Sequence, residues 1–252
     1  MKKLNTVFIL LIFCVLLSGN SIFAKELKAE QVKTEQIKIG VFNFQPFYIV
    51  EENQEPSGIL IDYIKMAFER CNLPYSIKGY PPKRLYSYLA NGESDIFLGV
   101  KGVPELEGNV LYSNEKITEI DLRIYSRQET VPVKTKEEMK GKRILTIKGY
   151  SYGGFIQYME NPANNIIPDM TNTHELAFKK LKFQRADYLL DYSYPSEKAL
   201  KAIIIPGIQS HSISLLDVFL IVSKKTANAQ ELLTRLEQAF IDLKKEGKLS
   251  GL

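Results

Sequence analysis

Aromatic and charged side chains follow several predicted strands, where a chain can contact a small molecule. Ring faces attract cations and stack on flat groups, whereas arginine, lysine and carboxylate side chains bind groups of opposite charge. The candidate contact residues are Phe47, Tyr48, Arg84, Lys101, Tyr150, Ser151, Asp191 and Tyr192. Together, these residue types favour binding of a small polar, aromatic or cationic solute.

Each candidate also has an interpretation that involves no ligand. The aromatic residues could pack in the core, and Lys101 could be a solvated loop residue instead of a point charge for a ligand. Arg84 could pair with Glu93 or Asp95 rather than face a cleft. Tyr150 and Ser151 are stronger candidates, because they precede a predicted helix whose free N–H groups suit an anionic group.

Catalytic patterns are weak in this sequence. The only histidines are His174 and His211. We expect His174 at a helix start as a surface residue, and His211 in a turn between Ser210 and Ser212. No histidine–cysteine cluster has metal-binding spacing, and neither a nucleophile elbow nor a glycine-rich phosphate loop occurs. We therefore expect no enzyme, no cofactor and no metal site.

The elements that must position the candidates alternate between strand and helix. The first half predicts strands at 37–41, 75–79 and 94–100 and helices at 59–70 and 82–91. Such βα steps imply a parallel sheet covered by helices. Ligands bind at the carboxyl ends of strands in these sheets, and Lys101 follows the strand at 94–100.

Two long predicted strands, 117–126 and 213–222, enclose a second α/β block. Within it we predict strands at 143–147, 166–168, 186–190 and 203–205, with helices at 134–140, 155–160, 173–183 and 194–201. A closing helix is predicted at 227–246. This order predicts two α/β lobes joined by two crossing hinge segments: 37–124 plus 219–252, and 125–218. It also predicts that no single continuous sheet spans both lobes.

The N-terminus is typical of a cleavable signal peptide. Lys2 and Lys3 precede 11 uncharged apolar residues at 7–17, and Ala24 offers a small residue for cleavage. Because a spanning helix needs about 20 apolar residues, we favour secretion over a membrane anchor. We therefore predict a signal peptide at 1–24, a polar lead-in at 25–36 and a periplasmic mature protein.

The charge balance favours neither nucleic acid nor a membrane surface. Removing the two signal-peptide lysines from the 33 basic residues leaves 31, against 29 acidic residues. Hydrophobic residues make up 45% and charged residues 25% of the 252-residue chain, as in ordinary globular proteins. We expect a monomer whose main partner is a small molecule.

Five short motifs occur in order along the chain. They are PFY at 46–48, GILID at 58–62, NGESD at 91–95, MKGKR at 139–143 and QRAD at 184–187. Their order resembles family 3 of the extracytoplasmic solute-binding proteins, the amino-acid-type receptors of ABC importers. The resemblance implies the two-lobed, hinged, type II periplasmic-binding-protein fold.

The sequence departs from this family at both ends of the expected ligand clamp. Members that bind amino acids usually carry T-x-x-R after the third strand, but residues 103–107 (VPELE) contain no arginine. They also place a carboxylate five residues after the last motif's aspartate. Here that position is Tyr192, and Asp191 comes one place earlier. We therefore expect the ligand not to be an unmodified α-amino acid.

The resemblance implies solute capture for an ABC permease. Two alternatives stay open: a ligand-binding partner of a membrane sensor, and a dehydratase-like enzyme on the same fold. In the last case Asp191 or Glu107 could act as an acid, but no base is paired with either.

Overall fold

The computed structural model describes residues 36–249, so the predicted signal peptide and nearly all of the lead-in lie outside the described residues. The strands are β1 (Ile37–Val41), β2 (Tyr75–Gly79), β3 (Ile96–Val100), β4 (Val110–Tyr112), β5 (Thr118–Ser126), β6 (Arg143–Ile147), β7 (Ile167–Thr171), β8 (Tyr188–Tyr192) and β9 (Gln209–Ser223). The α-helices are α1 (Ile59–Arg70), α2 (Pro82–Asn91), α3 (Phe155–Glu160), α4 (His174–Lys182), α5 (Ser193–Ala202) and α6 (Ala229–Lys245).

The strands of the described part form one mixed sheet in the order β2-β1-β3-β9-β5-β8-β6-β7, with β4 beside β9. β1 runs parallel to β2 and β3, and β6 runs parallel to β7 and β8. The long strands β5 and β9 are antiparallel to each other and connect these two parallel groups. The predicted α/β class and its two crossing strands are confirmed.

The expectation that no continuous sheet would span both halves is wrong. β5 and β9 pair with each other from Thr118 opposite Val218 to Ser126 opposite Gln209, with one irregularity after Leu122. β9 also pairs with β3, and β5 with β8. Because the crossing strands hydrogen-bond to each other and to both groups, one sheet extends across both halves.

The interior contains two apolar clusters. The smaller cluster lies within residues 125–205 and packs Phe178 of α4 between strands β5, β6 and β8. The larger cluster contains the β1–β3 group with α1, α2 and α6, and it also includes Tyr152 and Tyr192 from the second half. Burying a large apolar side chain contributes about 1.5–3 kcal/mol, so aromatic contacts between the halves contribute to stability.

Local sequence explains the elements whose bounds were predicted correctly. α1 buries Leu60, Ile61 and Ile64 on one face, the spacing that its sequence predicts. α2 begins with Pro82 in its first turn and ends at Gly92, whose φ of 80° is the left-handed conformation that glycine favours.

Two predicted elements do not form as predicted, and one strand was not predicted. Residues 134–140 form only a short 3₁₀ turn, Glu137–Met139, rather than a helix. Residues 203–205 form no strand: Ile203 and Ile205 pack in the smaller cluster while Ile204 is 73% exposed, and no neighbouring strand pairs with them. The short strand β4 was not predicted, because its three residues are held only by pairing with β9.

Candidate functional site

An aromatic cavity of about 30 Å³ lies where the two strand groups meet. Its wall comes from the ends of β1, β3, β6 and β8 and from α1, α2, β5 and β9. The lining residues are Phe42, Phe44, Tyr48, Leu60, Tyr86, Phe97, Leu98, Gly99, Val100, Val103, Ile120, Tyr150, Ser151, Tyr192 and Val218. None of these described residues is charged. Since one water molecule needs about 10–15 Å³ of cavity volume, the cavity in this conformation holds only water-sized groups.

The Tyr150 ring contacts aromatic residues of both halves. Its ring centroid lies 6.0 Å from Phe42 and 5.4 Å from Phe44, both of which follow β1. On its other side it lies 5.8 Å from both Tyr152 and Tyr192. Each such ring pair contributes about 0.5–1.5 kcal/mol beyond area burial. Tyr150 therefore joins the halves through edge-to-face and tilted contacts.

Four of the eight predicted contact residues line this cavity: Tyr48, Tyr150, Ser151 and Tyr192. The Tyr48 ring is buried, and its hydroxyl donates to the carbonyl of Leu98 at 2.8 Å. Phe47 lies behind the wall, fully buried, where it stacks on Phe44 at 5.1 Å.

The two predicted cations lie outside the lining. Arg84 is exposed and forms no ion pair within residues 36–249, so the predicted alternative of pairing with Glu93 or Asp95 is wrong. The Lys101 ammonium lies 3.9 Å from the ring centroid of Phe219 and 5.4 Å from that of Tyr112, a cation–π arrangement.

Asp191 lies beneath the cavity wall and is fully buried. Its carboxylate accepts hydrogen bonds from the Ser196 hydroxyl at 3.0 Å and from the Tyr192 amide at 2.9 Å. It also lies 2.7 Å from Nδ1 of His174. Asp191 is therefore occupied by protein groups and does not line the cavity.

The expectation that His174 is a surface residue is wrong, and so is that of a turn at His211, which lies within β9. His174 begins α4, as predicted, but its side chain is only 18% exposed. Its Nε2 lies 3.3 Å from the Tyr150 hydroxyl, so the imidazole connects Asp191 to the cavity wall. No sequence signal brings these residues together, because the loop after β6, the start of α4 and the end of β8 each supply one member.

The tyrosine hydroxyls of the cavity are held in their neutral form. Burial raises the pKa of Tyr150, and the nearby Asp191 charge and Tyr86 raise it further. Burial likewise raises the pKa of Tyr192 well above its usual value, with Tyr86 and Tyr150 adding to the effect. Tyr86, Tyr150 and Tyr192 therefore line the cavity with neutral hydrogen-bonding groups.

Phe42, Phe44 and Tyr86 line the cavity but were not among the predicted contacts. Phe42 and Phe44 continue from β1, while Tyr86 lies on the buried face of α2 beside Leu85. Their sequence pattern indicates only burial.

The described residues contain no group of three or more histidine, cysteine or acidic side chains that could hold a metal ion. Within the same residues, each helix is too short or too polar to cross a membrane.

Several solved structures share this fold. A histidine kinase sensor domain with similarity to periplasmic binding proteins superposes with a TM-score of 0.70 and 16% identity, over 87% of this chain and 94% of that one. A mutant of ArgBP from T. maritima has a TM-score of 0.65 and 23% identity, over 85% and 91%. A substrate-binding protein of an ABC uptake transporter from Streptococcus pneumoniae, with bound histidine, has a TM-score of 0.65 and 21% identity, over 84% and 88%.

Comparison with curated proteins returns no match. Residues 37–252, in contrast, match the family described as bacterial extracellular solute-binding proteins, family 3. The predicted resemblance and the two-lobed type II fold are therefore confirmed. The chain belongs to the bacterial extracellular solute-binding proteins of family 3.

Proposed function

We propose that this protein captures a small solute with an aromatic or otherwise apolar body, neutral or cationic, between two lobes outside the cytoplasm. The observation that carries the proposal is the aromatic, uncharged cavity where the two strand groups meet. The lobes would comprise residues 37–124 plus 219–252 and residues 125–218. The family suggests delivery to an ABC permease from the periplasm, and we propose that the protein acts as a monomer.

The uncharged wall argues against a standard α-amino acid. An α-carboxylate and an ammonium both need charged or hydrogen-bonding partners when they leave water. The Asp191 carboxylate, next to the lining residue Tyr192, is already occupied by Ser196, Tyr192 and His174. The segment at 103–107 supplies no arginine. A flat ring, in contrast, can stack on the tyrosine and phenylalanine faces, and a cation can approach them.

Solute entry requires a conformational change, because the cavity of about 30 Å³ is smaller than any such ligand. Hinged lobes close on a ligand that contacts both sides, and that ligand must favour the closed state through its own contacts. Tyr150 contacts both sides, so a ligand ring that enters as the halves separate would replace its contacts with Phe42 and Phe44, while Tyr150 keeps its contact with Tyr192.

A thermal-shift screen followed by calorimetry tests the proposal. The probes are indole and benzylamine against arginine, glutamine and histidine, each with the secreted protein. A ligand at 100 times its dissociation constant adds about 2.7 kcal/mol of stability. We expect the ring compounds to raise Tm and the amino acids to have little effect.

Variants locate the binding. Tyr150→Ala should abolish most of the shift, whereas Tyr88→Ala should not, since Tyr88 does not line the cavity and packs edge-on against Tyr80 at 4.9 Å. A large shift with a standard amino acid that survives Tyr150→Ala would contradict the proposal.

A second candidate is ligand sensing for a membrane receptor. The similarity to a histidine kinase sensor domain, at a TM-score of 0.70, supports it. Neighbouring genes discriminate the two: a permease and an ATPase favour transport, and a sensor kinase favours signalling. In either case we expect no turnover of the bound solute, because the family consists of binding proteins.

A further inference from the structure

Three side chains form a hydrogen-bonded chain from the buried interior to the cavity. Asp191 Oδ2 lies 2.7 Å from His174 Nδ1, and His174 Nε2 lies 3.3 Å from the Tyr150 hydroxyl. Asp191 is fully buried, whereas Tyr150 lines the cavity. The chain thus ends at the position where a bound solute would lie.

The donors and acceptors of this chain follow from its chemistry. A carboxylate only accepts hydrogen bonds, so the short contact with Asp191 places a proton on Nδ1 of His174. In a neutral imidazole the other nitrogen then carries a lone pair. The Tyr150 hydroxyl must donate to it. Its oxygen therefore keeps acceptor capacity, but its hydrogen is no longer available to a ligand.

We propose that Asp191 and His174 are positioning residues that present the Tyr150 oxygen to the cavity as an acceptor, so that the site selects solutes with an N–H or O–H donor. The inference rests on the proposed function and deepens it by naming the polar group of the ligand. The carboxylate acts through an imidazole and a phenol and does not contact the ligand.

The other groups around the cavity agree with this selection. Tyr48 already donates its hydroxyl hydrogen to the carbonyl of Leu98. Tyr86 is only 6% exposed, and its hydroxyl makes no hydrogen bond within the described residues. It is free to bind a second polar atom of the same solute. The ligand class is therefore a small ring compound with a donor at one edge.

Nitrogen NMR of the secreted protein tests the first step without any ligand. The sequence has two histidines, so ¹⁵N-histidine labelling gives two imidazoles, and the His174→Gln variant assigns the signals. At pH 8 we expect His174 to carry its proton on Nδ1 and to have a bare Nε2. Protonation on Nε2 would overturn the inference whatever the protein binds.

A matched pair of ring probes tests the second step. Indole carries an N–H donor, whereas benzofuran has the same shape with an acceptor oxygen in its place. We expect calorimetry to show about tenfold tighter binding of indole, the size of one buried hydrogen bond. The Tyr150→Phe variant should bind indole and benzofuran with similar affinity. The Tyr88→Phe variant, changed outside the cavity, should still prefer indole.

The outcomes separate the two proposals. If both rings bind equally, or if Tyr150→Phe keeps the preference for indole, the inference is wrong and the proposed function stands. If neither ring binds the wild-type protein, the proposed function is wrong and the ligand selection is wrong with it.

Discussion

The backbone of Gly102, just after β3, packs directly against Gly154, just before α3. A Cβ atom on Gly102 would lie 2.8 Å from the Gly154 amide nitrogen, closer than such atoms approach. The Gln157 side chain also donates to the Gly102 carbonyl at 3.2 Å. This contact joins the two halves beside the cavity, and only a residue without a side chain permits it.

Gly102→Ala should therefore separate the halves. The added methyl must push Gly154 away, so we expect a loss of about 1–3 kcal/mol in the free energy of unfolding beyond the backbone cost. Gly108→Ala is the matched control: its φ of 73° resembles the 82° of Gly102, but a Cβ there meets nothing within 4 Å. Urea unfolding measures both. Equal losses in the two variants would contradict the contact.

Asp95, in the motif at 91–95, should stabilise the folded state. Its buried carboxylate accepts from the Lys38 amide at 2.8 Å and from the Thr226 hydroxyl at 2.8 Å. Asp95→Ala leaves that amide without its partner, so we expect a loss of about 1–3 kcal/mol. Glu93→Ala, exposed two residues earlier, is the control. Denaturant unfolding that shows no difference between them would refute this role.

Tyr125 should lower stability at high pH. Burial raises its pKa to about 12, an effect that the nearby Ser196 hydroxyl partly offsets. An unfolded tyrosine has a pKa of about 10, so the folded state holds this proton more tightly. The stabilisation of the folded state by this raised pKa is fully present below pH 10 and is lost as pH rises from 10 to 12. It amounts to about 2–3 kcal/mol.

Tyr125→Phe removes this titration. Urea unfolding at several pH values between 9 and 11.5 should show that the free energy of unfolding falls less steeply with pH in the variant than in the wild type. The difference in slope should correspond to at most one bound proton. Parallel declines for variant and wild type would show that Tyr125 does not titrate in this way.

Tyr152→Phe tests the loop that carries Tyr150. The Ile147 amide donates to the Tyr152 hydroxyl at 2.8 Å, and the Tyr152 ring is fully buried. Without the hydroxyl this buried amide loses its partner, so we expect a loss of about 1–3 kcal/mol. Amide hydrogen exchange at Ile147 should also become faster. Unchanged exchange there would argue against the bond.

Local sequence determined much of the secondary structure. The bounds of β1, α1, β2 and α2 were predicted correctly, because apolar periodicity and turn residues act within a few positions. Gly92 and Pro82 stop and start α2 through backbone geometry alone. The two crossing strands were also predictable, since their unusual length shows in the apolar pattern.

Their pairing was a matter of tertiary structure. Whether the two long strands lie apart or join both halves into one sheet depends on which edges meet, and a strand's sequence does not specify its neighbour. β4 and the isoleucines at 203–205 show the same limit: three residues form a strand only where a partner strand is available.

The site shows the division most clearly. The sequence identified aromatic residues near Tyr150 and the shift of the carboxylate from position 192 to Asp191. Neighbouring residues of a strand point to opposite faces, so Tyr192 lines the cavity while Asp191 turns inward to His174. Only the packing of α4 against β8 decided that the buried charge meets an imidazole, because the two residues are distant in sequence and adjacent only after folding.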